Sequence, residues 1–271
     1  MNPTERREGL SAQDLSLGYG GPDIIHKLSV AIPTAQVTAI IGPNGCGKST
    51  LLRGLGRLLN PRSGEVLLDG LPLARQSTRQ IATRISILPQ APTAPSGLTV
   101  ADLVSRGRHP RQRWYQQFSS EDQSVVEDAL RATDILELAD TSLEDLSGGQ
   151  RQRAWISMTL AQETEILLLD EPTTYLDLAH QVDVLELVRR LNREHGRTVV
   201  MVLHDISLAA RYSDRIVAMK DGRIVAQGTP ADVVTPERLR DVFGLDAHVV
   251  SEPTDGRPHV IPLGHPATVS S

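Results

Sequence analysis

The sequence predicts an α/β protein: a mainly parallel sheet with helices on both faces, an N-terminal antiparallel β subdomain and an inserted α-helical subdomain. Three observations predict it. Short β-branched runs alternate with longer helical patterns, which is the rhythm of parallel strands joined by helical crossovers. Residues 11–17 and 24–32 instead alternate polar and apolar side chains, as antiparallel strands do. From about residue 92 to 160 the pattern is almost wholly helical. With 271 residues, 39% apolar and 23% charged, the chain can bury a sizeable core, and a disordered chain is excluded.

Taken in order, Val37-Thr38-Ala39-Ile40-Ile41 reads as a buried strand, residues 42–47 as a tight loop and 48–58 as a helix. Residues 85–88, 166–169 and 198–203 are further apolar runs of strand length. Within the helical insert, Ser120 is the expected N-cap before Glu121. Residues 178–195 form a helix with Leu178, Val182, Leu185, Val188 and Leu191 on one face and Gly196 as its stop. The main domain is expected over 8–245, with the helical part at about 92–160 inserted. Residues 246–271 form a C-terminal extension whose prolines at 253, 258, 262 and 266 lead into a frayed tail, 266–271.

Composition narrows the function. Two Trp, four Tyr and two Phe are too few for a base-stacking surface. Lys+Arg 28 against Asp+Glu 33 gives a net charge of −5, so no overall field draws the protein to nucleic acid, and no nucleic-acid partner is expected. The single cysteine, Cys46, excludes an internal disulfide and fits a reducing compartment. The longest apolar run, 199–203, is far below the ~20 residues that span a bilayer, and residues 1–9 lack the apolar core of a secretory signal. A soluble, cytosolic chain is expected, with any membrane role exerted through a partner.

Gly42-Pro43-Asn44-Gly45-Cys46-Gly47-Lys48-Ser49 satisfies G-x-x-x-x-G-K-[ST], followed by Thr50. Glycines let backbone N–H groups turn onto phosphate oxygens, and the following helix presents its positive end to the same anion. Lys48 is expected to reach the β- and γ-phosphates of ATP and the Ser49 hydroxyl to ligate Mg²⁺. A Gly-rich turn opening a helix is the ordinary alternative, and the buried strand before the loop argues against it. Cys46 is read as a small filler. The run Ile166-Leu167-Leu168-Leu169-Asp170-Glu171 is an apolar strand ending in two carboxylates. Beside a P-loop, Asp170 holds the Mg²⁺ shell and Glu171 orients or deprotonates the attacking water.

Leu146-Ser147-Gly148-Gly149-Gln150 is the most specific string, since five fixed residues recur by chance in well under roughly one chain per thousand. With it the sequence resembles the ATPase subunits of ABC transporters, whose signature motif reads LSGGQ, over residues 10 to about 234. A Ser hydroxyl and Gly–Gly amides at a helix start make a second anion cradle. The resemblance implies that this cradle closes on ATP held by the opposite subunit, so that two copies pair head to tail to complete two ATP sites. It also implies roles for single residues. Gln90 resembles the Q-loop glutamine that contacts Mg²⁺ or water and senses the transporter, and His204 the switch histidine on the γ-phosphate. Asp177 resembles the D-loop aspartate that acts across the dimer, and Tyr19 the aromatic that stacks on adenine. Singly, each has an ordinary reading: a loop amide, a satisfied core imidazole, an edge-strand tyrosine.

Gly107-Arg108-His109-Pro110, residues 150–156, Glu171-Pro172-Thr173-Thr174-Tyr175-Leu176-Asp177, His180-Gln181 and residues 202–205 are similar to the ATPases of ferric-siderophore importers. Importers of vitamin B12 and haem share part of this pattern. The resemblance implies an ATPase at the cytoplasmic face of the cell (inner) membrane that dimerises on permease subunits. It would energise uptake of an iron(III)–siderophore complex delivered by an extracytoplasmic binding protein. A soluble ABC-type ATPase acting on nucleic acid or ribosomes usually carries long coiled coils, fused domains or basic segments, which are absent from this sequence. A P-loop kinase has no use for residues 146–150, and an inactive binding module has none for Glu171 and His204. Arg106, Arg108, Arg111 and Arg113, beside Trp114 and Tyr115, form a basic–aromatic cluster. A nucleic-acid patch is one reading, but four arginines in a chain of net charge −5 are weak evidence for it; otherwise the cluster is a solvated loop or a contact to the permease or to anionic lipid headgroups.

Overall fold

The structure is a computed structural model that describes residues 9–112, 118–174 and 176–265. In chain order, β1 (Leu10–Leu17), β2 (Ile25–Ile32), β3 (Val37–Ile41), α1 (Lys48–Leu55), β4 (Ser63–Leu68) and β5 (Leu71–Pro72) come first. Then follow α2 (Thr78–Ala82), β6 (Ile85–Leu88), α3 (Val100–Ser105), α4 (Ser120–Ala132) and α5 (Gly148–Ala161). β7 (Ile166–Asp170) and α6 (Leu178–His195) lead to β8 (Thr198–Val202), α7 (Ile206–Tyr212), β9 (Arg215–Lys220) and β10 (Arg223–Gly228). The last elements are α8 (Pro230–Val233), α9 (Pro236–Phe243), β11 (Asp246–Ser251) and β12 (Pro258–Gly264). These elements fall into two compact units: residues up to Arg75 together with those from Thr198 onward, and Gln76–Arg197.

In the first unit, β2, β1, β4 and β5 make an antiparallel sheet, in which Leu10 lies opposite Ile32 on one side and Leu68 on the other. The alternation read from the sequence is therefore that of a sheet with one buried face. Strand β3 pairs in parallel with β8 on one side and β9 on the other, and β10 adds an antiparallel edge to β9. All five residues of β3 and all five of β8 are buried, which is why both read as unbroken apolar runs rather than alternators. Helix α7 packs on β3 and also meets β12.

In the second unit, β6 and β7 are parallel, with Ile85 opposite Ile166 through to Leu88 opposite Leu169. Helices α3, α4 and α5 pack against one another around Val100, Leu103, Val126, Leu130, Ala154 and Ile156. Helix α6 buries Val184, Leu185, Leu187, Val188 and Leu191 and ends at Gly196 with φ 61°, the stop read from the sequence, whereas Leu178, expected on the same face, is exposed and Val182 is half-buried.

Three local expectations are corrected. Helix α1 ends at Leu55 rather than 58, because Gly56 caps it and Arg57 turns left-handed at φ 55°. Ser119, not Ser120, is the N-cap of α4: its hydroxyl accepts from the Asp122 N–H, and the Asp122 carboxylate accepts from the Ser119 N–H. The stretch 92–160 is less helical than its pattern, with residues 91–98 non-helical around Pro92, Pro95 and Gly97 and short 3₁₀ turns between the α-helices. Residues 246–264 form a β-hairpin, β11 with β12, in which Ala247 and Val260 are buried. The expected frayed tail, 266–271, lies outside the described residues, as do Tyr175 and the cluster members Arg113, Trp114 and Tyr115.

Candidate functional site

The first unit carries the glycine-rich loop between the buried strand β3 and helix α1. At Gly42, φ is 153°, and a Cβ would stand 2.2 Å from the Met219 carbonyl oxygen and 2.8 Å from Cys46 Sγ. Gly47 has φ 101°, and a Cβ there would meet Ile25 Cδ1 at 2.7 Å. Only glycine admits this backbone, which lays the loop flat against the strands behind it. Lys48 is buried, and its Nζ donates to the carbonyls of Gly42 at 2.8 Å and Pro43 at 3.0 Å. An ammonium has three N–H donors, so this anchoring leaves one to meet an anion in front of the loop. Asn44 and Gly45 are exposed at the rim, Ser49 is half-buried and Thr50 is buried. Cys46 is buried, and that burial pushes its thiol up against the opposing pull of Lys48, which keeps it protonated.

Two further side chains stand in this unit. Tyr19 is 53% exposed, and its hydroxyl accepts from Arg53 Nη1 on α1 at 3.2 Å, so the ring is oriented yet open to solvent. His204 is exposed just past β8 and is not a core imidazole. Next to it, Asp205 caps α7 by accepting from the Leu208 N–H at 2.8 Å.

The second unit carries the carboxylates. Asp170 ends β7 and is 1% exposed. Glu171 follows at φ 53°, a left-handed conformation costly for a side chain of this size and one that turns it off the strand end. Its Oε2 accepts from Gln90 Nε2 at 2.5 Å and from the Thr174 hydroxyl at 2.9 Å. The register of β6 on β7 explains the first contact: Leu88 lies opposite Leu169, so the two residues following each strand meet at one end. Thr174 had no assigned role in the sequence. Its place three residues after the carboxylate was the available signal.

Leu146 is buried, and Ser147 is the N-cap of α5 in a reciprocal capping box with Gln150. The Gln150 N–H donates to Ser147 Oγ at 3.3 Å, and the Ser147 N–H donates to Gln150 Oε1 at 3.0 Å. Ser147 and Gly148 are exposed while Gly149 is buried, and no acidic residue stands in the first turn to cancel the positive helix end. Asp177 caps α6, its side chain accepting from the His180 N–H. Hydrogen bonds from the His180 N–H and from its ring hold the Asp177 carboxyl below the usual carboxylate range.

Within the basic cluster, Arg108 is not solvated. Arg108 is 4% exposed and donates to Asp122 Oδ1, the Ala161 carbonyl and Glu163 Oε2, at 2.7–2.8 Å. Arg111 donates to the carbonyls of Gln162 and Glu163. The buried Arg108 guanidinium ties α4 to the end of α5, which corrects the solvated-loop reading for that residue; Arg111, although hydrogen-bonded, is exposed, as is Arg106. No spacing in the sequence joins Arg108 to Glu163, 55 residues on.

Comparison with known proteins agrees with the geometry. A family model described as ABC transporter matches residues 25–174. A Bacillus subtilis (strain 168) protein, described as the siderophore transport system ATP-binding protein YusV, is 53% identical over 255 residues, covering 94% of this chain and 93% of that one. The Escherichia coli (strain K12) ferric enterobactin transport ATP-binding protein FepC is 49% identical over 270 residues, covering 99% and 100%. Among solved structures, an inward-facing one described as a metal-chelate type ABC transporter superposes with TM-score 0.82 at 28% identity, covering 95% of this chain and 98% of that one. A glycine-rich loop opening a helix, a carboxylate-tipped strand and a capped LSGGQ helix thus stand in a chain matched over nearly its whole length, and it belongs to the ABC transporter family, as one of its ATP-binding, ATP-hydrolysing members.

Proposed function

We propose that this chain is the ATPase subunit of an importer of iron(III)–siderophore complexes. Two copies would act together on membrane permease subunits, peripherally at the cytoplasmic face of the inner membrane, with an extracytoplasmic siderophore-binding protein delivering the cargo. The names borne by relatives at 53% and 49% identity support the cargo class. Among the described residues no helix is long and apolar enough to cross a membrane, which supports a separate permease. The ATP-binding domain takes in residues 8–245, with the insert at about 92–160, and 246–271 is an extension.

In this reading the loop from Gly42 to Thr50 and Lys48 hold the ATP phosphates, and Tyr19 stacks on adenine. His204 contacts the γ-phosphate. Ser147 to Gln150, with Leu146 buried behind them, and Asp177 meet the ATP of the other copy. Lys48 and the bare positive end of α5 support this division, since each offers donors to an anion. Ser49, Gln90 and Asp170 would hold Mg²⁺: a hydroxyl, an amide oxygen and a carboxylate are the hard donors that ion takes. The Gln90 amide nitrogen is engaged by Glu171, which leaves its oxygen for that role. When bound, Mg²⁺ neutralises charge on the phosphate oxygens.

The observation that carries the proposal is Glu171. A carboxylate in a strained conformation, fixed through one oxygen by Gln90 and Thr174, is a base set in place to take a proton from water. Glu171→Gln keeps the shape but cannot accept that proton. It should bind ATP, lose at least about a hundredfold in turnover, and accumulate as a dimer with Mg²⁺-ATP on size exclusion. Normal turnover, or a monomer under those conditions, would overturn the reading.

A further inference from the structure

We propose that His180 is a positioning residue that locks the Asp177 carboxylate to the start of α5. The two segments meant for the partner copy's ATP then present one rigid surface. This rests on the head-to-tail reading above and adds to it a residue with no assigned part in it.

His180 stands in the first turn of α6, three residues after the capping Asp177. Its backbone N–H donates to Asp177 Oδ1 at 2.9 Å, and its ring Nδ1 lies 2.6 Å from the same oxygen. A contact that short onto a carboxylate requires the proton on Nδ1, which fixes the tautomer. Two donors from one residue, one backbone and one side chain, converge on that oxygen and hold it where a cap alone supplies one.

The other side of the ring faces the signature segment. A Cβ on Gly149 would stand 2.6 Å from His180 Cδ2, 3.3 Å from Cγ and 3.4 Å from Nε2. The imidazole therefore lies directly on the Gly149 backbone, at a distance that only glycine permits. Beside it, a Cβ on Gly148 would meet Leu176 Cδ2 at 3.7 Å, and Gln181 Nε2 holds the Leu176 carbonyl at 2.9 Å. Leu176, Asp177 and His180 thus join the start of α5 to the start of α6.

Stability does not explain the arrangement. The His180 and Asp177 side chains are 48% and 68% exposed, and exposed pairs at this spacing contribute little to folding. What the pair supplies is geometry: it sets the carboxylate at a fixed distance from the N-terminus of α5.

The test uses the full chain in the Glu171→Gln background, with ATP affinity of the single copy and ATP-dependent dimerisation measured separately. His180→Ala should leave the first unchanged within about twofold and weaken the second by about tenfold, the loss of one charge-assisted hydrogen bond. His180→Asn, whose amide nitrogen can replace Nδ1, should restore dimerisation to within about threefold. Dimerisation of His180→Ala equal to its parent would overturn the proposal, as would failure of the asparagine variant to restore it. If the parent itself stays monomeric, the head-to-tail reading fails first and takes this inference with it.

Discussion

Lys48 shows how much one side chain carries. Its ammonium is held by two carbonyls of its own loop, so it is aimed before any anion arrives. Lys48→Ala removes a charge-assisted contact of about 1.5–3 kcal/mol along with that anchoring. The expected outcome is at least a tenfold loss of ATP affinity in a direct binding assay, and unchanged affinity would remove the loop from the site. At this scale the motif residues were legible because their chemistry demands fixed types at fixed spacing: glycine where the backbone must lie flat, lysine and serine at its end, two carboxylates after an apolar run. Their supports were not legible. The bond from Thr174 to Glu171 and the seat of His180 on Gly149 depend on how a loop turns after β7, and φ 53° at Glu171 leaves no mark in its residue type.

The Arg108 network makes the same point for whole elements. Arg106–Arg108 is a short 3₁₀ turn after α3, and Arg108 reaches from it to α4 through Asp122 and to the end of α5 through the Ala161 carbonyl. Burial alone would raise the Asp122 carboxyl, but hydrogen bonds from Arg108, from the Ser119 N–H and hydroxyl and from Gln112 outweigh it and hold it down to about 2. Asp122→Ala leaves a buried guanidinium partly uncompensated, which typically costs about 3–5 kcal/mol, and urea unfolding should show a midpoint lowered accordingly. The sign with pH follows from the direction of the shift. The Asp122 contribution is complete above the ordinary carboxylate value of 3.8 and is lost as pH falls from there towards about 2. Acid titration of wild type against Asp122→Ala should therefore find the stability gap constant at neutral pH and closing below about pH 4. Sequence reading put these arginines on the surface because charge without periodicity resembles a loop; it takes the fold to bring residues 108, 122 and 163 together. Elements fared better where one force dominated: β3, β6 and α6 have the ends that burial and the Gly196 stop dictate. Strands β9 and β10, whose apolar cores are bounded by Arg, Lys and Gln, went unread, as did the hairpin of β11 and β12, where prolines stand in β12.

For the whole molecule, the α/β class, the antiparallel N-terminal sheet and the order of motifs were legible because each follows from a period or a spacing. The cargo was not. None of the residues assigned here is asked to touch a siderophore, so the chain's own chemistry extends only to ATP, and what it powers is set by the proteins it works with. An energy-coupling subunit acts on cargo only through the difference in its affinity for the states of the transporter. Blocking hydrolysis should therefore stop transport completely and selectively, without altering cargo binding outside the membrane. Replacing the chromosomal copy with Glu171→Gln should reduce uptake of radio-iron supplied as a siderophore complex to the level of a deletion. Ferrous iron uptake should continue at the normal rate, and an extracytoplasmic binding protein should still capture the complex. Normal siderophore-iron uptake together with a collapse of haem or vitamin B12 uptake would leave the ATPase in place and overturn the cargo.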